Sequence, residues 1–326
     1  MGAVVRLSWC ERSLVGSAAD QRIIFQKHRL PKVSLSGDLV VYIPKSKSEL
    51  PIRSDLSFLG ISGLGAFSGK LQTVGSLLAE RNRIVAAAAS LAGHDGSYES
   101  LCSLTADQMV DGAIEAALKF KKAHPTDKLI AFGHSAGGLA VFNAYFKHQK
   151  ETGEKLFAGI ILASLPLEYK LRHLVQAVAS LNKATNRLPI LRDIYNKYLN
   201  GPIPWLQSDF LTRFDRQNSS YEIIPRSAML ALEDLSALAR RQIPKIDLPI
   251  LAIHGVEDQI AYKSSLAIIM DRVVHKDLIT IRVYDNCDHS NFLGSDRKLR
   301  RLFMQDVSLF MQRFSAQTTS LNGGTS

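Results

Sequence analysis

Residues 129–146 read LIAFGHSAGGLAVFNAYF, and the fold turns on them. Four apolar residues run into a cluster of small ones around Ser135 and then into a segment whose apolar positions recur at helical spacing. That order predicts a strand that bends sharply into a helix, with Gly133, His134, Ser135, Ala136 and Gly137 at the bend. The pattern G-x-S-x-G is weak alone, because a chain of this composition shows it by chance about one time in ten. Its setting raises it. A serine at the tip of such a bend needs small neighbours, since backbone and helix approach closely there, and the helix start turns N–H groups toward negative charge. The bland alternative is a Gly-Ser turn without chemistry.

Outward from this bend, strand-like and helix-like segments alternate, the signature of an α/β sheet protein. RIIFQ and GDLVVYIP read as an opening pair of strands joined by a turn between Pro31 and Gly37. DLSFLGIS is the third strand, followed by the glycine-rich GLGAFSG and a helix over 70–81. RIVAAAAS is the fourth strand and LAGHDGSYESLCSL a loop. Residues 105–124 form a helix capped by Thr105 and ended by Pro125. KLIAFG is the fifth strand, 136–151 a helix and LFAGIILAS the sixth strand. The rhythm breaks over 170–246, where LVQAVASL, ILRDIYNKYL and AMLALEDLSALARR carry helical spacing and little strand character. It resumes with LPILAIHG, SSLAIIMDRVV, LITIRVYDN and a last helix over 297–314. The predicted fold is α/β, a mostly parallel central sheet flanked by helices, with a helical segment inserted after the sixth strand.

With 326 residues, 46% of them hydrophobic and 21% charged, the chain can bury a large core without disulfides or metals. No run of about 18 apolar residues is present to span a bilayer, and residues 1–20 lack the apolar core and cleavage site of a signal peptide. Cys10, Cys102 and Cys287 have no spacing that suggests disulfides or a zinc set, which favours a reducing compartment, the cytoplasm. The net charge of +10 is scattered without an aromatic-interleaved basic stripe, so no nucleic-acid partner is expected.

A serine hydroxyl is a poor nucleophile near neutral pH and needs a base, which in turn needs an orienting carboxylate. LPILAIHGVEDQIA carries one strand into a loop with Glu257 and Asp258, and ITIRVYDNCDHSNFL carries the next into a loop with His289. The order serine, acid, histidine puts all three at the carboxyl edge of one parallel sheet, where ligands bind in such folds. Glu257, Asp285 and Asp288 compete with Asp258, which is preferred for its place after the penultimate strand. Oxyanion donors are expected from the N–H of Ala136 and, in GISGLGAFSGK, from Leu64, although that stretch also reads as an ordinary glycine-rich connector. His94, His134 and His254 read as structural. Asp285, Cys287, Asp288 and His289 match no usual ligand spacing, so neither a metal nor a cofactor is expected.

SGLGAFSG, LAGHDGSYESLCSLTADQMV, GHSAGG, and PILAIHGVEDQI with DHSNFL together resemble the serine hydrolases of the α/β-hydrolase superfamily. Within it they are most similar to carboxylesterases, monoacylglycerol lipases and lysophospholipase-like members, over residues 20–315. Two departures stand out: Gly93-His94-Asp95 replaces a common Gly-His-Gly, and Ser62-Gly63 replaces His-Gly. The resemblance implies Ser135 as nucleophile, His289 as base, Asp258 as acid and the Leu64 and Ala136 N–H groups as oxyanion donors. It implies hydrolysis of carboxylic esters, lipid-like or of short to medium acyl length, through an acyl-enzyme. It further implies a core of residues 21–169 and 247–315, after an ill-defined extension over 1–20; the polar composition of 316–326 reads as a disordered tail. The helical cap over 170–246 would roof an acyl pocket, with Trp205, Phe210 and Phe214 against substrate or in the cap's own core. That segment holds 12 Lys and Arg against 6 Asp and Glu, a balance that could draw it to an anionic lipid surface or could be a solvated face. An acyltransferase or peptidase on the same residues, or a non-catalytic ligand-binding protein, are the alternatives. Oligomeric state is not legible.

Overall fold

The structure is a computed structural model that describes residues 32–35, 39–44, 53–64, 71–94, 98–125, 128–170, 172–185, 224–294 and 296–314. The strands are β1 (Lys32–Leu35), β2 (Leu39–Tyr42), β3 (Arg53–Ile61), β4 (Ile84–Ala89), β5 (Lys128–His134), β6 (Gly159–Ala163), β7 (Ile250–Gly255) and β8 (Ile279–Tyr284). They form one sheet in the order β1-β2-β4-β3-β5-β6-β7-β8. β1 and β2 pair antiparallel, β2 joins β4 antiparallel, and every pairing from β4 to β8 is parallel.

A parallel sheet is covered on both faces, so its strands must be apolar on both. In β5, Leu129 and Ala131 join one buried cluster while Ile130 and Phe132 join the other. β4, β6 and β7 alternate in the same way. The helices are α1 (Gln72–Asn82), α2 (Tyr98–Cys102), α3 (Ala106–Ala123), α4 (Ala136–Thr152), α5 (Arg172–Thr185), α6 (Arg226–Gln242), α7 (Ser264–Arg272) and α8 (Arg297–Gln312). α1 and α8 pack in the cluster on one face, where Leu299, Phe303, Val307 and Phe310 make a stripe at intervals of three and four. α3, α4, α6 and α7 pack in the other. α3 starts at the predicted residue, Thr105, with a reciprocal cap: the Gln108 N–H donates to Thr105 Oγ1 at 3.2 Å and the Thr105 N–H to Gln108 Oε1 at 2.9 Å.

Two expectations change. The partner of β2 is Lys32–Leu35, inside the stretch read as a turn; antiparallel pairing satisfies the backbone of a four-residue strand whose flanking Pro31 and Gly37 look like turn punctuation. The loop over 91–104 contains a helical turn, α2, whose Leu101 is buried. RIIFQ, ILRDIYNKYL, the glycine-rich stretch beyond Leu64, the extension over 1–20 and the tail over 316–326 lie outside the described residues, as do Trp205, Phe210 and Phe214. Either side of the central gap, α5 and α6 supply the helices expected from LVQAVASL and AMLALEDLSALARR.

The bend after β5 is a contact between main chains. A Cβ on Gly137 would stand 2.3 Å from the Ser62 carbonyl oxygen and 2.5 Å from that of Ile61; one on Gly133 would stand 2.4 Å from Gly138 Cα. No side-chain rearrangement relieves a clash with backbone. Gly137→Ala is therefore expected to destabilise the protein by at least about 2 kcal/mol, read as a lowered midpoint in thermal unfolding; an unchanged midpoint would contradict the packing described.

Candidate active site

Ser135 sits between β5 and α4 with φ 54° and ψ −124°, a backbone conformation that a non-glycine residue holds only when its surroundings enforce it. The Ser135 N–H donates to the Ala163 carbonyl at 2.9 Å, and the Gly138 N–H donates to the Ser135 carbonyl at 2.9 Å. The serine's own N–H is thus engaged, and the next one along the helix start is that of the buried Ala136. On the other side, a Cβ on Gly63 would lie 3.1 Å from Ser135 Cβ. The end of β3 thus brings Leu64, one residue further and half-buried, into the neighbourhood of the serine.

Asp258 follows β7 and His289 follows β8. The His289 Nδ1 lies 3.0 Å from Asp258 Oδ1 and 2.9 Å from Oδ2. Burial works to raise the Asp258 carboxyl, but the charge and N–H of His289, then His254 and the Ile260 N–H, outweigh it and hold the group below the usual carboxylate range. An ionised carboxylate only accepts, so His289 Nδ1 is the nitrogen that donates to Asp258, and Nε2 is the one left for proton exchange. The N–H groups of Ile260 and Ala261 both donate to Asp258 Oδ1 at 2.9 Å. Of the competing acids, Glu257 and Asp285 are exposed. Asp288 accepts from the N–H groups of Ser290 at 2.8 Å and Asn291 at 2.7 Å, shaping the loop that carries His289.

His254 is fully buried, and its Nε2–H donates to the Ala261 carbonyl at 2.8 Å. It braces the acid's loop. The same loop pairs with the chain leaving β6: Tyr169 bridges Ala261, the Lys170 N–H donates to Ile260 O at 2.9 Å, and the Tyr262 N–H to Glu168 O at 2.8 Å. A cluster of ions then ties that chain to α6. Arg172 meets Glu233 at 3.1 Å and Glu168 at 2.9 Å, Arg240 meets Glu168 at 2.5 Å, and the Tyr169 hydroxyl donates to Glu233 at 2.8 Å. Arg172 and Arg240, two cations of the basic segment, therefore face carboxylates inside the protein. His94 is buried and its Nδ1–H donates to Ala92 O at 3.0 Å, ordering its own turn. Burial pushes the Cys287 thiol up to about 12, so it stays protonated and inert near neutral pH. Among the described residues no group of acids, histidines and cysteines is arranged to hold a metal, and no helix is long and apolar enough to cross a membrane.

Residues 54–296 match the family model described as serine aminopeptidase, S33. The chain belongs to this family. The S33-family chain is similar in fold to a carboxyl esterase from Bacillus coagulans (TM-score 0.64, 15% identity, 87% of this chain and 98% of that one). It is also similar to the monoacylglycerol lipase of Paleococcus ferrophilus (0.60, 17%, 85% and 98%) and to the monoglyceride lipase of Saccharomyces cerevisiae (0.62, 14%, 87% and 95%). At these identities the likeness establishes the α/β-hydrolase fold. No curated protein matches the sequence significantly.

Two further contacts on His289 were not foreseen in the sequence. Its carbonyl oxygen accepts from His134 Nε2 at 2.7 Å and from Ser164 Oγ at 3.1 Å. Ser164 is only the last letter of a strand in the sequence, and nothing there marks it.

The histidine beside the acid gives a pH signature. Burial first, and then the nearby His289, push His254 below its ordinary value of 6.5, against the opposing pull of Asp258 and the Ala261 carbonyl. The unfolded chain takes up this proton as pH falls through about 6.5 while the folded chain does not, so the stability linked to neutral His254 is complete above that pH and declines below it. Asp258 adds a loss at still lower pH, since its folded carboxyl titrates below the unfolded one. The thermal midpoint is expected to fall between pH 7 and pH 5, and less steeply in His254→Gln, whose amide can still donate to Ala261. Equal slopes in the two proteins would contradict this.

Proposed function

We propose that this S33-family chain is a carboxylic ester hydrolase, with Ser135 as nucleophile, His289 as general base and Asp258 as its orienting acid. One observation carries the reading: a strained serine at a helix N-terminus shares a sheet edge with a buried histidine whose Nδ1 faces both oxygens of an ionised aspartate. In the proposed reaction His289 Nε2 takes the Ser135 proton as Oγ bonds to the ester carbonyl carbon. The resulting oxyanion is stabilised by the N–H groups of Ala136 and Leu64. The tetrahedral intermediate collapses, the bond to the alcohol breaks, and the imidazolium delivers its proton to the leaving alkoxide. Water then adds to the acyl-enzyme by the same proton path and releases the acid, with Ser135 restored. None of these steps calls for a cofactor or metal.

The substrate class we infer is a lipid-like or short-to-medium acyl ester, in the cytoplasm and at the margin of membranes. Residues 170–246 would act as a cap over an acyl pocket between core segments 21–169 and 247–315, with Trp205, Phe210 and Phe214 lining it. Its remaining basic residues would favour an anionic lipid surface. The family description favours a second reading, peptide-bond cleavage at a free amino terminus, for which the sequence offers no obvious cap carboxylate to hold the amine. Transfer of the acyl group to an alcohol instead of water would use the same residues.

A series of p-nitrophenyl and glycerol esters of rising acyl length, run beside amino-acid p-nitroanilides, separates these readings. Ester turnover is expected and anilide turnover is not; activity on anilides alone would overturn the proposal. Ser135→Ala should abolish both hydrolysis and fluorophosphonate labelling while the protein remains folded. Asp258→Asn should lower kcat on the order of a thousandfold or more.

A further inference from the structure

We propose that Ser164 is a positioning residue for His289, and that the Ala163–Ser164 pair sets the spacing between nucleophile and base. The inference rests on the roles proposed above for Ser135 and His289. Ser164 follows β6 directly, has no exposed surface, and holds φ at 51°, in the left-handed region that glycine adopts freely and L side chains adopt at a cost. A buried left-handed residue at a strand end is by default a glycine. The hydroxyl that stands there instead donates to the His289 carbonyl oxygen at 3.1 Å.

The neighbouring contacts give this hydroxyl its meaning. The Ser164 N–H donates to Ile253 O of β7 at 2.9 Å, which pins the residue to the next strand. One residue earlier, the Ala163 carbonyl accepts the Ser135 N–H at 2.9 Å. Adjacent residues therefore hold the nucleophile by its N–H and the base by its C=O. The same His289 oxygen accepts from His134 Nε2 at 2.7 Å, and the two imidazole rings lie 4.8 Å apart.

His289 needs such an anchor because of where it sits. It leaves the sheet after β8, the last strand in the sheet order, on a loop with a strand on one side alone. Asp258 orients the ring through Nδ1 but does not fix the main chain behind it. Donors from the ends of β5 and β6 fix that carbonyl, so main chain and ring are referred to three neighbouring strands. Small errors in the approach of a base to its nucleophile cost rate without costing binding. Ser164 touches no reacting atom in this scheme; it acts through His289.

The test separates strain, folding and positioning. Ser164→Gly removes the hydroxyl and relaxes the backbone, whereas Ser164→Ala removes the hydroxyl and keeps the left-handed strain. Both are expected to slow fluorophosphonate labelling of Ser135 and to lower kcat on p-nitrophenyl butyrate by about tenfold, the scale of one lost hydrogen bond, with KM unchanged. The thermal midpoint should stay near the parent's in Ser164→Gly and drop in Ser164→Ala. Parental labelling and kcat in Ser164→Gly, or a raised KM at constant kcat, overturns the positioning role. An inert Ser135→Ala in the same experiment leaves the nucleophile assignment standing; Ser135→Ala that labels like the parent overturns that assignment instead.

Discussion

The close approach of α4 to the end of β3 is the constraint on which the site depends. Gly137 lies where any side chain would collide with the carbonyl oxygens of Ile61 and Ser62. That contact lets the helix start directly behind the strand edge. Beside it Ser135 holds a backbone conformation that serine seldom adopts. The strain is offset by the sheet: Ser135 is held by Ala163 of β6, and Gly63 at the end of β3 closes the other side. Once these glycines fix the bend, the loops after β7 and β8 have a place to converge.

Electrostatics at that convergence follow from burial. A carboxylate deep in a protein is costly unless it is met by donors, and Asp258 is met by two backbone N–H groups and His289, with His254 close by. His254 stays neutral and spends its N–H on Ala261, so it shapes the loop rather than competing for the carboxylate. The loop is then tied through Tyr169 and Lys170 to the chain that leads into α5, and the Arg172–Glu233–Glu168–Arg240 cluster ties that chain to α6. Such half-buried ion pairs add little net stability, but they are directional. Their effect here is to hold α5 and α6 in register with the loop of Asp258.

Much of this was legible in the sequence because it is local. Strands buried on both faces read as short apolar runs, α3 announces its start through Thr105 and Gln108, and small residues at 133, 136, 137 and 138 mark the bend. The opening hairpin and α2 were not legible, since a four-residue strand and a five-residue helix carry too little periodicity to stand against turn-forming neighbours. Choosing Asp258 over Glu257, Asp285 and Asp288 was an argument from strand order. In the structure Asp258 is buried and faces the imidazole, Glu257 and Asp285 are exposed, and Asp288 turns to its own loop's N–H groups.

The sequence by itself determined the alternation of elements, the serine bend and the strand ends from which Asp258 and His289 would come, because each depends on side-chain periodicity and on residue types within a few positions. Only the tertiary structure decided what holds the loop of His289 in place. The grip of His134 and Ser164 on the His289 carbonyl joins residues 155 and 125 positions apart. Contacts across such separations exist only once parallel strands lie side by side, and no local pattern encodes them.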